Sequence, residues 1–398
     1  MKRSSTKVIR LRSVFVLGAL SAFGPLSLDL YLPALPQPAE DLHGTDATAQ
    51  LTLSSCMVGL AVGQVLIGPV SDRYGRRRPL LIGVAAYALS SLACALAPNM
   101  GLLILLRLVQ GLAGSAGIVI ARAIVRDLYE TRAAAYVFSL LMLVTGVAPI
   151  VAPVVGGQLL RVTSWPGLFV TLSGIGCVLL AATAWGIAES LPKSARHSGG
   201  LRATGRQFAT VLRDGRFLAF TGVLALGASL LFTYIFMSPF VLQDSYGLSP
   251  QAFSYVFAAN AIGFMIAGRI SAVLVRRRGP ARALRIGLRA GVGFSSALLL
   301  AILFDTGLPV VLPILLLAVS SVALIMPSAT ALGMDAHRLR AGTASGVMGL
   351  AHFGLSGALA PVVSLGGVTP LLMASTMVVA GTLALLIKFL ISRISPTG

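Results

Sequence analysis

At 398 residues, 56% hydrophobic and 11% charged, with a mean hydropathy of +0.90, the chain carries more apolar surface than a water-soluble fold of its length can bury. A formal net charge of +19 would point to nucleic acid in a soluble protein, but here the basic residues must first be weighed against membrane topology. Cys56, Cys94 and Cys177 all fall in apolar runs and read as packing residues, and the four histidines are too scattered to give a metal-ligand spacing.

A window of about 19 residues divides the chain into twelve apolar runs, at 14–35, 51–70, 80–97, 101–121, 135–160, 167–188, 217–241, 253–275, 286–304, 310–333, 343–366 and 370–391. The basic start "MKRSSTKVIRLR" resembles a secretory signal. The run after it is too long, lacks an A-x-A site and is followed by eleven more, so it reads as a retained first helix.

That first run contains "LSLDLYLPALPQP" and with it Asp29, the one acid of twelve that falls inside a run. A carboxylate in a membrane costs at least ~2.5 kcal/mol. Pro25 and Pro33 lie four residues to either side of it, and each removes a backbone hydrogen bond and frees carbonyls near the acid. Two readings follow: a structural Asp at a helix break, or a proton carrier in a cavity that hydrates and dries.

The second and third runs are joined by "GPVSDRYGRRR", 68–78. Gly75 can supply the positive φ of a sharp turn, and Asp72 sits one helical turn from Arg76. In the fourth run Arg107, Gln110, Gly111 and Gly114 share one helix face, with glycines that admit a close neighbour. Arg107 either snorkels to the interface or faces an interior partner. Helix rise puts Asp29 ~22 Å from the start of its run and Arg107 ~9 Å from the start of the oppositely directed fourth, so both fall in the same outer third of a core of ~30 Å. The fifth run carries Pro149, Pro153, Gly156 and Gly157 in "GVAPIVAPVVGG".

The basic, Gly/Ser-containing segment 189–216 reads as a linker between a lobe of 1–188 and a lobe of 217–398. The halves echo each other: "GPVSDRYGRRR" aligns with "GRISAVLVRRR" at 268–278, and "APVV" recurs at 152–155 and 360–363. Such repeats of six helices are one transporter architecture. Tyr31, Gln64, Gln110, Tyr234, Asn260 and His352 are candidates for a cavity lining, each with helix packing as the plainer alternative. With Lys388 counted in the C-terminal tail, 27 of the 31 Lys and Arg fall on the two termini and alternate loops, which predicts both termini in the cytoplasm.

The loop motif resembles that of the major facilitator superfamily, G-x-x-x-D-R-x-G-R-R, at Gly68, Asp72, Arg73, Gly75, Arg76 and Arg77. "LDLYLPALP", "RLVQGLAGSAG", "ARAIVRDLY" and "APIVAPVVGG" are similar to the bicyclomycin/chloramphenicol-resistance (Bcr/CflA) group of drug exporters. The resemblance implies that Asp72 and Arg76 form an inner latch with an acid at the end of helix 4, here Asp127. It also implies a functional Arg at position 107, and a helix 5 pattern that marks exporters exchanging substrate for protons. The superfamily's general pattern has glycines where this chain has Ala148 and Ala152.

The expectation is an all-α membrane protein of twelve helices in two pseudo-symmetric lobes, a proton-coupled antiporter of small amphiphilic drugs in a bacterial cytoplasmic membrane. Asp29 and Arg107 are its proton-coupling candidates. Its partners would be drug, protons and lipid, with no nucleic acid, no cofactor beyond the proton gradient, and a monomeric state implied by the family. The rivals are a nutrient importer or facilitator, a channel, and a membrane-embedded enzyme; the last lacks clustered His, Cys or carboxylates in its spans. There is no G-x-x-x-x-G-K-[ST] motif for ATP.

Overall fold

The computed structural model describes residues 11–192, 194, 212–335 and 341–394. The basic start of the chain and most of the linker lie outside these. Among the described residues there is no strand, and eleven helices are long and apolar enough to cross a membrane. A pair bent by 40° in the first run makes twelve spans.

The first run is broken where its prolines predict. Pro25 cannot bond to the carbonyl of Ser21, and α1 (Leu11–Ser21) ends there. Pro33 cannot bond to the carbonyl of Asp29, and α2 (Phe23–Asp29) ends there. A 3-10 turn (Leu32–Ala34) and the short α3 (Pro36–Asp41) follow.

The helices then run α4 (Asp46–Tyr74), α5 (Arg77–Ala95), α6 (Met100–Leu128), α7 (Thr131–Leu159) and α8 (Trp165–Gly186). Beyond the linker come α9 (Gly215–Phe240, continued by a π turn, Val241–Ser245), α10 (Pro250–Arg278), α11 (Pro280–Leu303), α12 (Leu308–Met334), α13 (Ala341–Val363) and α14 (Pro370–Ile394).

Several helices outrun their apolar stretch. The 29 residues of α4 rise ~43 Å, more than a hydrocarbon core of ~30 Å, so Asp46 and Asp72 lie within its ends. Side-chain caps define three helix starts: Asn99 accepts from Leu102 N–H at 2.9 Å, Asp214 from Arg216 N–H at 2.9 Å and Ser249 from Ala252 N–H at 3.2 Å. The turn between α4 and α5 has Gly75 at φ 90°, and the echoing turn between α10 and α11 uses Gly279 at φ 77°. The sequence echo aligns Gly75 with Val275, so the second half makes the same turn four residues later.

Contacts divide the chain into two compact units. The first takes the described residues of 1–31 and 55–199. Its core is Leu17, Leu20 and Phe23 packed on Tyr87, Ile120, Ile124 and Val137, with the Phe23 and Tyr87 rings stacked at 4.1 Å. The second takes the described residues of 32–54 and 200–398, so the chain from the 3-10 turn to Ser54 belongs with the second half. Its core joins Phe217, Phe220, Leu288, Ile325, Ala329 and Met348. Large apolar side chains such as Ile82, Leu89, Val178, Trp185 and Leu303 are exposed, as lipid-facing residues are.

Candidate functional site

Asp29 is the last residue of α2 and is buried, with 8% of its surface exposed. It takes part in no ion pair or hydrogen bond among the described residues; in particular it makes no ion pair with Arg107. The helix carbonyls ahead of it point its way, and that end of a helix disfavours a negative charge. An acid that stabilised the break as a cap would sit at a helix N-terminus, so capping does not explain Asp29.

The helix 5 motif meets this break directly. α7 stays helical through Pro149 and Pro153, and Ala152, Pro153, Gly156 and Gly157 are buried. A Cβ on Gly156 would collide with the carbonyl oxygen of Leu30, the residue after Asp29. Only glycine lets α7 lie this close to the end of α2.

Arg107 is wholly buried. Its guanidinium lies over the rings of Tyr31 at 5.2 Å and Phe169 at 5.4 Å, within cation–π range, and Trp165 packs edge-on to Phe169 at 6.1 Å. Nη1 donates to Gln110 Oε1, and Gln110 Nε2 donates to Ser91 Oγ at 2.7 Å. Ser91 in turn donates to the carbonyl of Tyr87 at 2.7 Å, and the Tyr87 hydroxyl is 2.8 Å from Ser27 Oγ on α2. A chain of buried polar groups thus runs from Arg107 to within two residues of Asp29. On the same face of α6, Gly111 lies against the backbone of Cys56, and Gly114 lies against Tyr87.

At the other end of these helices Arg76 joins two acids. Nε donates to Asp127 Oδ2 at 2.9 Å, and Nη1 donates to Asp72 Oδ1 at 2.6 Å and Ser71 Oγ at 2.7 Å. Partial burial acts to lower the Arg76 pKa, but the bonds and charges of Asp127 and Asp72 outweigh it and hold the guanidinium above its ordinary value. Arg77 donates to the carbonyls of Ile187 at 3.0 Å and Ala184 at 2.7 Å, closing the end of α8. Arg73 lies over the ring of its neighbour Tyr74, and a Cβ on Gly68 would meet nothing within 4 Å.

Sequence reasoning missed Glu189 and Ser190, which it assigned to the linker. The Glu189 carboxylate accepts from the N–H groups of Arg76 at 2.8 Å and Arg77 at 3.3 Å, capping α5, and Ser190 Oγ donates to Asp127 at 2.9 Å. The available signal was an acid at the head of a basic segment, directly after the sixth apolar run. Tyr87, Ser91 and Phe169 were missed as well, because a Tyr, a Ser or a Phe in an apolar run looks like packing.

The remaining cavity candidates do not converge. Gln64 is exposed on α4, whereas Tyr31 and Gln110 belong to the Arg107 cluster. In the second unit Tyr234 stacks on Phe257 at 5.4 Å, and Asn260 donates to the Val256 carbonyl at 2.8 Å while its Oδ1 has no partner among the described residues. His352 lies against Phe353 at 3.9 Å and Phe232 at 6.2 Å.

The family model described as Major Facilitator Superfamily matches residues 16–361. The chain belongs to the major facilitator superfamily. It is 35% identical over 395 residues, 98% of this chain and 97% of the other, to a Bacillus subtilis (strain 168) protein named "Uncharacterized MFS-type transporter YdgK". It is 29% identical over 88% of each chain to a "Bicyclomycin resistance protein homolog" of Haemophilus influenzae. A "Chloramphenicol resistance protein" of Pseudomonas aeruginosa is 32% identical over 73% of this chain and 68% of its own. Among solved structures the nucleoside transporter NupG superposes with a TM-score of 0.77 at 15% identity, over 97% of this chain and 100% of its own. The D-xylose-proton symporter gives 0.72 at 15%, over 94% and 97%; both likenesses speak to fold alone. Within the superfamily the chain is similar to proteins named for bicyclomycin, chloramphenicol and multidrug resistance, the Bcr/CflA group; it is a transporter, not an enzyme, of the kind seated in the bacterial inner membrane.

Proposed function

We propose that this transporter exports small amphiphilic drugs in exchange for protons, by alternating access, with both termini in the cytoplasm. The observation that carries the reading is Asp29: a buried carboxylate at the break of the first span, with no counter-ion among the described residues and with the helix 5 motif pressed against the next carbonyl. In this reading Asp29 takes a proton from outside, the Arg76 latch releases, drug enters from the cytoplasm or inner leaflet, and the proton leaves inward. The membrane potential supplies ~2.3 kcal/mol per charge per 100 mV, and each pH unit of gradient adds ~1.4 kcal/mol. One proton can then support a drug gradient of one to a few decades. The names of the relatives suggest bicyclomycin-type and chloramphenicol-type compounds as first substrates.

The test is drug export from energised vesicles, parent against Asp29→Asn, each with and without an uncoupler. The expected result is uncoupler-sensitive export by the parent. Asp29→Asn should fold and bind drug but fail to concentrate it. Uphill pumping by Asp29→Asn would move the coupling site elsewhere, and an inactive parent would refute the substrate class.

A further inference from the structure

The first turns of α4 present Asp46, Gln50 and Ser54 at i, i+4 and i+8, a single stripe along the helix. The two ends of the stripe are tied to α13 and the turn that follows it. Ser54 Oγ donates to the carbonyl of Gly357, and Asp46 Oδ2 accepts from Val368 N–H at 2.9 Å. The pairings 54 with 357 and 46 with 368 make the two segments antiparallel, all within the second unit.

Between the ties the seam is left unmet. Gln50 is wholly buried, and neither its amide nitrogen nor its oxygen has a partner among the described residues. Ser364, between Gly357 and Val368 in sequence, is 1% exposed, and its hydroxyl is also without a partner among the described residues. Buried polar groups are nearly always hydrogen-bonded, and a carboxamide has two donors and an acceptor to satisfy. An apolar side chain of similar size would fill the same space without that penalty.

We propose that Gln50 is a built-in weak point of this seam. Its unmade hydrogen bonds raise the energy of the fastened arrangement, and water supplies them once the seam parts, so the ties at Asp46 and Ser54 can be released in each transport cycle. The inference rests on the alternating-access reading. It adds a residue that sets how readily one closure opens, at the end of α4 away from the Arg76 latch.

The test is hydrogen–deuterium exchange of the full chain in nanodiscs, followed at 46–57 and 357–368, with drug export measured on the same proteins. Gln50→Leu should slow exchange in both segments on the order of tenfold and lower export turnover, because the seam parts less often. Ser54→Ala, which cuts one tie, should speed exchange in the same segments. Parental or faster exchange in Gln50→Leu overturns the proposal, as does unchanged exchange in Ser54→Ala, which covers the case of a Gln50→Leu chain that fails to fold. Slower exchange in Gln50→Leu with no drug export by the parent would refute the export reading and leave the weak point standing.

Discussion

Gly156→Ala tests whether the contact between α7 and the end of α2 matters to coupling. A Cβ at this position would overlap Leu30 O and lie 3.1 Å from its carbonyl carbon and 3.4 Å from its Cα. All three atoms are backbone, so no rotamer change can relieve the collision; α7 or the end of α2 must move. Overpacking of this kind costs about 1–3 kcal/mol. If only one of two conformers holds the contact, the same energy shifts their ratio by roughly 5–150-fold. The assay is uphill drug uptake into inverted vesicles under an imposed pH gradient, beside equilibrium drug binding and melting in detergent. Gly156→Ala should stay folded and bind drug, but lose about tenfold or more of its uphill rate. Gly146→Ala, on the same helix, is the control, because a Cβ there meets nothing within 4 Å. If both variants pump like the parent, the close approach has no part in coupling.

Two further predictions concern the arginines. Arg107→Lys keeps the charge but replaces a flat fork with a compact ammonium, which cannot lie over Tyr31 and Phe169 and still reach Gln110. Each cation–π contact is worth about 0.5–2 kcal/mol, so a lower melting temperature and a transport loss close to that of Arg107→Ala are expected; near-parental transport would show that charge alone suffices. Glu189→Ala removes the cap on α5 at a cost of about 0.5–2 kcal/mol. If Glu189 positions Arg76 between its acids, a double-mutant cycle of Glu189→Ala with Arg76→Ala in transport turnover should show a coupling of roughly 0.5–3 kcal/mol; additive effects would make Glu189 a helix cap and nothing more.

Much of this was legible in the sequence because its causes are local. Pro25 and Pro33 remove the bonds to the carbonyls four residues back, and the helix ends at those residues, Ser21 and Asp29; the same spacing in α7 leaves the helix intact, so spacing marks where a break can fall and packing decides whether it does. Asp72 and Arg76 are one helical turn apart, and they pair. What was not legible depends on residues far apart in the chain. Glu189 accepts from the N–H of Arg76, 113 residues earlier in sequence, at the start of α5, and no local pattern records that. The same holds for Tyr87, which reaches Ser27 across 60 residues. The division of α4 at Ser54 was hidden for another reason: one continuous apolar run gives no sign that its two ends pack on different units.

The two buried arginines of the first unit meet the cost of desolvation in different ways, and the difference bears on which of them can move. Arg76 is paired with two carboxylates, but Asp72 is half exposed, with 52% of its side chain in reach of water. Water can replace each of these bonds as the pair separates, so breaking it costs little beyond the modest value of a partly exposed ion pair. Arg107 is held by Gln110 and by two aromatic faces, all buried. Displacing it would strip a buried guanidinium of the Gln110 oxygen and of both ring faces, a far larger penalty. Arg76 is therefore built to exchange partners and Arg107 to stay. In the proposed export cycle, what changes is the surroundings of Asp29, through the hydration of its helix break and the approach of α7.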